Sequence, residues 1–561
     1  MPTFRAPAAL QRYWPVPVNG IYVLLLAVLA SAVYVPYLAN ALVFDDLNLF
    51  NGVTIYDYAT RLWRLQVRWF SYSTLAHIHV LSDGSIVAQR LANLLLHVAN
   101  AVAAFVLLRD LLGAADHRGI RAVSEPSNAS RLAMLGAALF AAHPVAVYGV
   151  GYLVQRSILM STLFMLLMLI AYLRWLTNGR NALWIWSAIW FLFSVFSKEH
   201  SIVAPAAALL LTLVLHRPSL ELARRLAPPF IAYVAVAATV ALVATGLFGT
   251  SFERQAADMF ADARGLDAGS AALAVYPLSV ITQAFLFFKY LLLWLLPDPA
   301  WMSMDMREPL AASLLSWPYW AAAIAFLCYP LFAARMALKG GRAGVAGWAL
   351  AFPWLMFIPE LLTVRVQEPI VLYRAYLWFP VFSIVVPLAI ARFSPRAAAL
   401  SVGVAVCVLV PLSWNRLASL SEPLTAWEDA AKLLARGDEP GAGRIYYNRA
   451  LALAAKGRGE EALRDMDRVV VLHPRLAPTH LARAKLLFNL KRYREALDEL
   501  DIAVDLDPKR SDYYLTRAIT LKRLEREDDA MRDFRKACEL GNVVACAGQE
   551  QQGKTGNKLG H

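Results

Sequence analysis

The sequence predicts an all-α protein, a polytopic bundle of transmembrane helices followed by a soluble helical solenoid. Three observations carry this. Residues of type AVILMFWYC make up 59% of the 561-residue chain, against roughly half in a soluble domain. The excess lies before Trp414, as apolar stretches of about twenty residues, the length a bilayer core requires. After Glu422 the chain turns to charged, amphipathic helix with an internal period.

The first apolar stretch, Ile21–Ala39, follows Arg5 and Arg12 and lacks the marks of a cleaved signal peptide. It is expected to remain as an anchor, with the N-terminus in the cytoplasm. Later stretches cover 85–108, 133–154, 157–173, 183–196, 201–215, 229–248, 317–332, 344–362, 373–390 and 397–413. Basic clusters separate them: His117/Arg118/Arg121/Arg131, Arg174/Arg180, Arg217/Arg224/Arg225, Arg335/Lys339/Arg342 and Arg392/Arg396. The clusters alternate as cytoplasmic loops if Val275–Leu296, which holds Pro277, Gln283 and Lys289, is a re-entrant or interfacial hairpin. This predicts about eleven crossings with the C-terminus outside. About twelve, with the soluble domain inside, is the alternative. The net charge of +13 is read as this loop asymmetry. Nucleic acid is not an expected partner, because no basic patch with interleaved aromatics occurs.

From Arg444 the chain repeats with a period of 34: Arg449, Arg483 and Arg517 are in register. So are Ala450, Ala484 and Ala518, then Ala462, Ala496 and Ala530, and Pro474 and Pro508 close two units. This is the tetratricopeptide-repeat (TPR) period, in which small residues let paired helices approach closely. The third unit is atypical and ends ACELGNVVACA (Ala537 to Ala547), like a Sel1-type repeat. The expected domains are 1–416 for the membrane part, 417–550 for the TPR part and 551–561 as a flexible tail. Cys538 and Cys546 would pair in an oxidising compartment. Otherwise they are inert thiols.

Asp45 and Asp46 are adjacent carboxylates just beyond the first span, where acids are costly and functional by default. A general base and a metal-binding pair are both open, beside the plain reading of a charged loop that ends a helix. Other candidates are His97, with Arg90 and Asn93 on one helix face, and His143, Arg156, Lys198, Glu199, Gln283, Asp305, Glu368 and Arg374. In the eleven-span arrangement Asp45, Asp46, Arg156, Lys198, Glu199, Asp305, Glu368 and Arg374 all fall at the outer face. Acids mixed with single cations there suggest an outward-facing active site.

Several blocks resemble one family. They are FDDLNLF (Phe44 to Phe50), RLANLLLHVAN (Arg90 to Asn100), HPVAVYGVGYLVQRSILMSTLF (His143 to Phe164), SKEHSI (Ser197 to Ile202), ITQAFLFFKYLLLWLLP (Ile281 to Pro297), EPIVLYRAYLWFP (Glu368 to Pro380) and WEDA (Trp427 to Ala430). In this order they are similar to the GT-C glycosyltransferases with C-terminal TPRs, the transmembrane-and-TPR protein O-mannosyltransferases and their bacterial relatives. One departure is Tyr373, which stands beside Arg374 where family members often carry an acid.

The resemblance implies a membrane enzyme that takes mannose or another hexose from a polyprenyl-phosphate donor, with inversion. The acceptor would be a hydroxyl, on a protein or peptide held by the TPR groove. Asp45 or Asp46 would be the base, and Arg156, Lys198 and Arg374 would hold the donor phosphate. Trp69 or Tyr148 would line the lipid or sugar path, a place the interfacial aromatic belt explains equally well. The resemblance fixes no cofactor; a divalent cation, Mg or Mn, is left open and would use Asp45 and Asp46. The implied setting is a bacterial inner membrane with the TPR domain in the periplasm. Competing expectations are a non-enzymatic TPR scaffold for envelope assembly and a transporter of lipid-linked saccharide.

Overall fold

The computed structural model describes residues 20–50, 52–116, 126–243, 268–362, 364–365 and 368–546. Arg5, Arg12, His117, Arg118, Arg121 and the expected tail at 551–561 lie outside them. The chain forms two compact units, Met1–Glu422 and Pro423–His561. The division falls just beyond the expected 416, because helix Pro395–Ser419 runs unbroken past that point.

Among the described residues helices are the regular secondary structure of the first unit, joined by irregular segments such as 302–318 and with one isolated bridge between Met306 and Ile370. Among the described residues eight helices are long and apolar enough to cross a membrane. A ninth span forms if the pair Asn128–Ala142 and Pro144–Val150, bent by 54°, counts as one. Pro144 causes the bend, since it can donate no backbone hydrogen bond. The remaining expected spans fall on shorter apolar helices, Ala182–Ser197, Glu199–Leu215 and Phe379–Ala391.

Contacts sort the helix ends into two sets. At one end Asn40 donates to the Leu417 carbonyl at 2.8 Å, and Arg90 donates to the carbonyls of Ala41 (2.7 Å) and Gly151 (2.6 Å). At the other, Asp110 accepts from Arg109 and Arg174, and Arg225 donates to the Trp175 carbonyl. Helices Tyr319–Ala337 and Gly341–Leu361 turn back on each other tightly. A Cβ on Gly347 would lie 2.7 Å from the Ala333 carbonyl oxygen, so only glycine lets these backbones touch.

The expected hairpin at 275–296 is instead one continuous helix, Ala268–Leu295. A single proline, Pro277, bends a helix without reversing it. Both ends of this helix nonetheless meet the same end of the bundle. Tyr276 donates to the Leu361 carbonyl near its start. His143 contacts the Trp294 carbonyl near its finish, and Arg416 donates to the Met302 carbonyl just beyond. Lys289, which would be costly alone in an apolar helix, pairs with Glu308.

The second unit is a TPR solenoid. After helix Pro423–Lys432 come three antiparallel pairs: Ala442–Ala455 with Gly459–Leu472, Ala477–Asn489 with Tyr493–Leu506, and Ser511–Arg523 with Glu527–Glu539. The six register alanines are fully buried. The register arginines form a ladder: Arg449 pairs with Asp465, Arg483 with Glu499, and Arg517 with Asp533. Arg483 and Arg517 also reach back to Asp467 and Asp501 in the preceding repeat. Cys538 and Cys546 are joined in a disulfide.

Candidate active site

The two adjacent aspartates point to different surroundings. They open the short helix Asp45–Phe50, which follows Phe44 in a left-handed conformation (φ 60°). Asp46 is fully buried, and its oxygens accept from the backbone N–H groups of Val154 (2.8 Å) and Leu153 (3.2 Å). It thereby caps the turn leading into helix Arg156–Asn178, where a carboxylate meets the positive end of the helix dipole. Burial pushes its acid up to about 7, against the pull of those N–H groups and of Arg90, with Asp45 adding to the rise. Asp45 is exposed, and its carboxylate accepts from the Tyr152 hydroxyl at 2.7 Å.

Tyr152 leads to the cations. Its ring lies 6.3 Å from that of Tyr373. The Lys198 ammonium sits 5.4 Å from the Tyr373 ring centroid, and the Arg374 guanidinium carbon 5.9 Å. Arg374 donates to Glu360 at 2.7 Å, and Arg365 approaches the same oxygen at 3.4 Å. Arg68, itself left-handed (φ 65°), pairs in fork geometry with Glu199. His200 stands between the two acids, 2.9 Å from Glu360 and 3.5 Å from Glu199. Glu368 is near enough for its charge to be felt by Tyr373 and Arg374.

Lys198 differs from its neighbours. It is 4% exposed, yet among the described residues its ammonium has no carboxylate within ion-pair reach and no hydrogen-bond acceptor. Burial lowers it to about 7, helped by Arg68 and Arg374 and opposed by Glu199 and Glu360.

Asp45, Lys198, Glu199, Glu368 and Arg374 therefore share one site. The other candidates do not join it. Arg156 donates through Nε and Nη2 to Asn93 and Gln89, each at 2.8 Å, while its Nη1 is buried with no hydrogen-bond partner among the described residues. His97 lies in the core between the Tyr376 hydroxyl and the Ala141 carbonyl. That carbonyl can only accept, so Nε2 carries the proton and Nδ1 accepts from Tyr376. His143 is satisfied in the same way by the Trp294 carbonyl and Val145 N–H. Gln283 holds the Pro369 carbonyl, and Asp305 is paired with buried Arg307. Trp69 donates to the Arg61 carbonyl and packs on Tyr58, and Tyr148 is buried.

Arg68, Tyr152, Glu360 and His200 belong to the site without having been singled out in the sequence. Glu360, from helix Gly341–Leu361, supplies the acid that pairs with Arg374. The sequence signal for it was a lone acid at the end of an apolar span.

The aspartates do not fit a divalent cation. Asp46 is buried with both oxygens on backbone N–H groups, which leaves Asp45 as the one exposed carboxylate. Among the described residues no cluster of three or more His, Cys, Asp or Glu has metal-binding geometry.

No protein-family model matches the chain, and no curated protein matches it. The similar solved structures are TPR proteins. Two structures of MamA are 24% and 18% identical, with TM-scores of 0.18 and 0.19; they cover 20% and 28% of this chain and 82% and 94% of their own. YrrB, described as a TPR protein with an unusual peptide-binding site, is 20% identical with a TM-score of 0.21, over 29% of this chain and 96% of its own.

Proposed function

We propose that this chain is an integral membrane glycosyltransferase. It moves mannose or another hexose from a polyprenyl-phosphate carrier to a hydroxyl of an acceptor protein, with inversion, on the outer face of the membrane. One observation carries the reading: among the described residues the buried ammonium of Lys198 has no ion-pair or hydrogen-bond partner, in a site that also presents the exposed carboxylate of Asp45. An uncompensated buried charge costs on the order of several kcal/mol. A bound anion removes that cost, and the phosphate of a lipid-linked donor is such an anion.

In this mechanism Asp45 takes the proton from the acceptor hydroxyl. The acceptor oxygen attacks the anomeric carbon from the face opposite the phosphate as the bond from that carbon to the phosphate oxygen breaks. Polyprenyl phosphate leaves, its charge held by Lys198 and Arg374. The phosphate is already a stable leaving group and needs no general acid. Tyr152 orients Asp45, and Asp46 holds the turn that carries Tyr152.

The reading sets the protein in a bacterial inner membrane, N-terminus in the cytoplasm, with the Asp45 end and the TPR domain in the periplasm. The Cys538–Cys546 disulfide supports an oxidising side for the TPR domain. Its groove would hold the acceptor peptide. A scaffold gives no reason for an unpaired buried ammonium, and a transporter would bind the phosphate without needing Asp45.

The test uses purified protein in nanodiscs: wild type, Asp45→Asn and Lys198→Met. Each receives radiolabelled polyprenyl-phosphate sugars and envelope-protein extract, with folding followed by size exclusion. Transfer by wild type alone is expected. Equal transfer by folded Asp45→Asn removes the base from the mechanism. No transfer by wild type with any donor removes the reading.

A further inference from the structure

A ladder of aromatic rings descends from the Lys198 end of the bundle. Trp63 packs on Phe70 and Phe193, each with centroids 5.5 Å away. Phe70 stacks on Phe164 (6.3 Å, 28°), Phe164 on Trp190 (5.7 Å, 9°), and Trp190 on Trp186 (6.0 Å, 28°). Trp186 and Trp63 at its two ends are 51% and 36% exposed, and the four rings between them are half-buried. The ladder is continuous with the cation site. Trp63 also packs on Phe196, whose carbonyl accepts from the Arg68 N–H, and Phe196 precedes Lys198 by two residues.

An aromatic belt explains rings gathered at a membrane surface, but this ladder runs along a helix. From Lys198 back to Trp186 the rise is about 18 Å. That exceeds the half-thickness of a hydrocarbon core, about 15 Å, which one leaflet's acyl chains fill. Rigid rings also offer large contact area at little entropic cost.

We infer that this ladder is the binding track for the tail of a polyprenyl phosphate whose head group sits at Lys198. The occupant is an amphiphile with one anionic head and an apolar tail longer than a leaflet is deep. The inference rests on the proposed donor class and adds where the donor's tail lies.

The test uses the full chain in nanodiscs with undecaprenyl phosphate bearing a diazirine on its last isoprene unit. Crosslinks are mapped by mass spectrometry, which needs no sugar transfer. Crosslinks in helix Ala182–Ser197 and around Phe164 are expected. Unlabelled undecaprenyl phosphate should suppress them, and an equal amount of phosphatidylglycerol should not. Crosslinks scattered over every lipid-facing helix, or equal suppression by phosphatidylglycerol, overturn the inference. Trp186→Leu with Trp190→Leu should cut crosslinking about fivefold, while Trp320→Leu on helix Tyr319–Ala337 should not.

A kinetic arm separates this inference from the reading beneath it. In the double variant, KM should rise at least about fivefold more for a long-chain donor than for a short-chain one. Equal rises remove the track and leave the enzyme standing. If wild type uses neither donor, the glycosyltransferase reading fails, and the crosslinking alone decides whether the ladder binds a polyprenyl tail.

Discussion

The Tyr152 hydroxyl donates to the Asp45 carboxylate at 2.7 Å and accepts from the Asp45 backbone N–H at 3.2 Å. The phenol thus fixes the direction of the one exposed carboxylate in the site. It also presents its ring to Tyr373, on which Lys198 and Arg374 converge.

Asp45 and Asp46 are expected to separate on mutation. Asp45→Asn should lower transfer by about a hundred- to ten-thousandfold, the span of a general base, without moving the melting temperature. Asp46→Ala strands the N–H groups of Leu153 and Val154, each costing about 1–3 kcal/mol if left unpaired. It should lower the melting temperature clearly. Melting curves and single-turnover rates on the same samples check both, and reversed behaviour would exchange the two roles.

Tyr152→Phe keeps the ring and removes the hydroxyl. A drop of about tenfold in kcat is expected, as for a lost orienting hydrogen bond near 1.4 kcal/mol. KM for the donor should stay put, because the hydroxyl faces the base and not the phosphate site. A change in donor KM alone would contradict this.

Lys198 predicts an alkaline limb. It must be protonated to hold the phosphate, so kcat/KM should fall as pH rises through about 7. Lys198→Arg, which keeps its charge at all these values, should move that limb upward. Stability without donor has the opposite sign. The unfolded lysine binds its proton up to about 10.5 and the folded one only to about 7, so stability should rise with pH between them. A pH series of rates and one of melting temperatures test the two signs independently.

Glu360 is the acid for Arg374, for Arg365 and, through His200, for the Arg68–Glu199 pair. Glu360→Gln takes the carboxylate partner from the buried Arg374 guanidinium, at a cost of about 3–5 kcal/mol. A marked loss of thermal stability, larger than for Glu368→Gln, is expected in parallel melts.

The side of the TPR domain can be read from its disulfide. On intact cells, Cys538 and Cys546 should react with a membrane-impermeant maleimide only after reduction by an impermeant phosphine. Labelling without reduction, or only after the cells are broken, would contradict a periplasmic TPR domain.

The helical class, the extent of the apolar helices and the TPR pairs were legible in the sequence because each depends on spacing along the chain. The ring of Ala450, Ala484 and Ala518 could be read as a packing column from its period alone. The arginines beside them could be read only as a column, since their partners lie 16 residues on in the facing helix. Val275–Leu296 was legible as exceptional but not as a single helix, because proline and polar residues mark a disturbance without giving its geometry.

The sequence by itself determined where apolar surface must be buried or face lipid, and which segments repeat. It also determined which rare charged residues sit at span ends. Only the tertiary structure decided how those charges are spent. Arg156 and Lys198 look alike in sequence, each a cation at the end of an apolar run. Folding closes Gln89 and Asn93 around Arg156 and leaves Lys198 facing an aromatic ring. The same holds for Asp45 and Asp46, adjacent in the chain and opposite in burial. The physical reason is that a buried charge is defined by its partners, and these come from helices far apart in sequence.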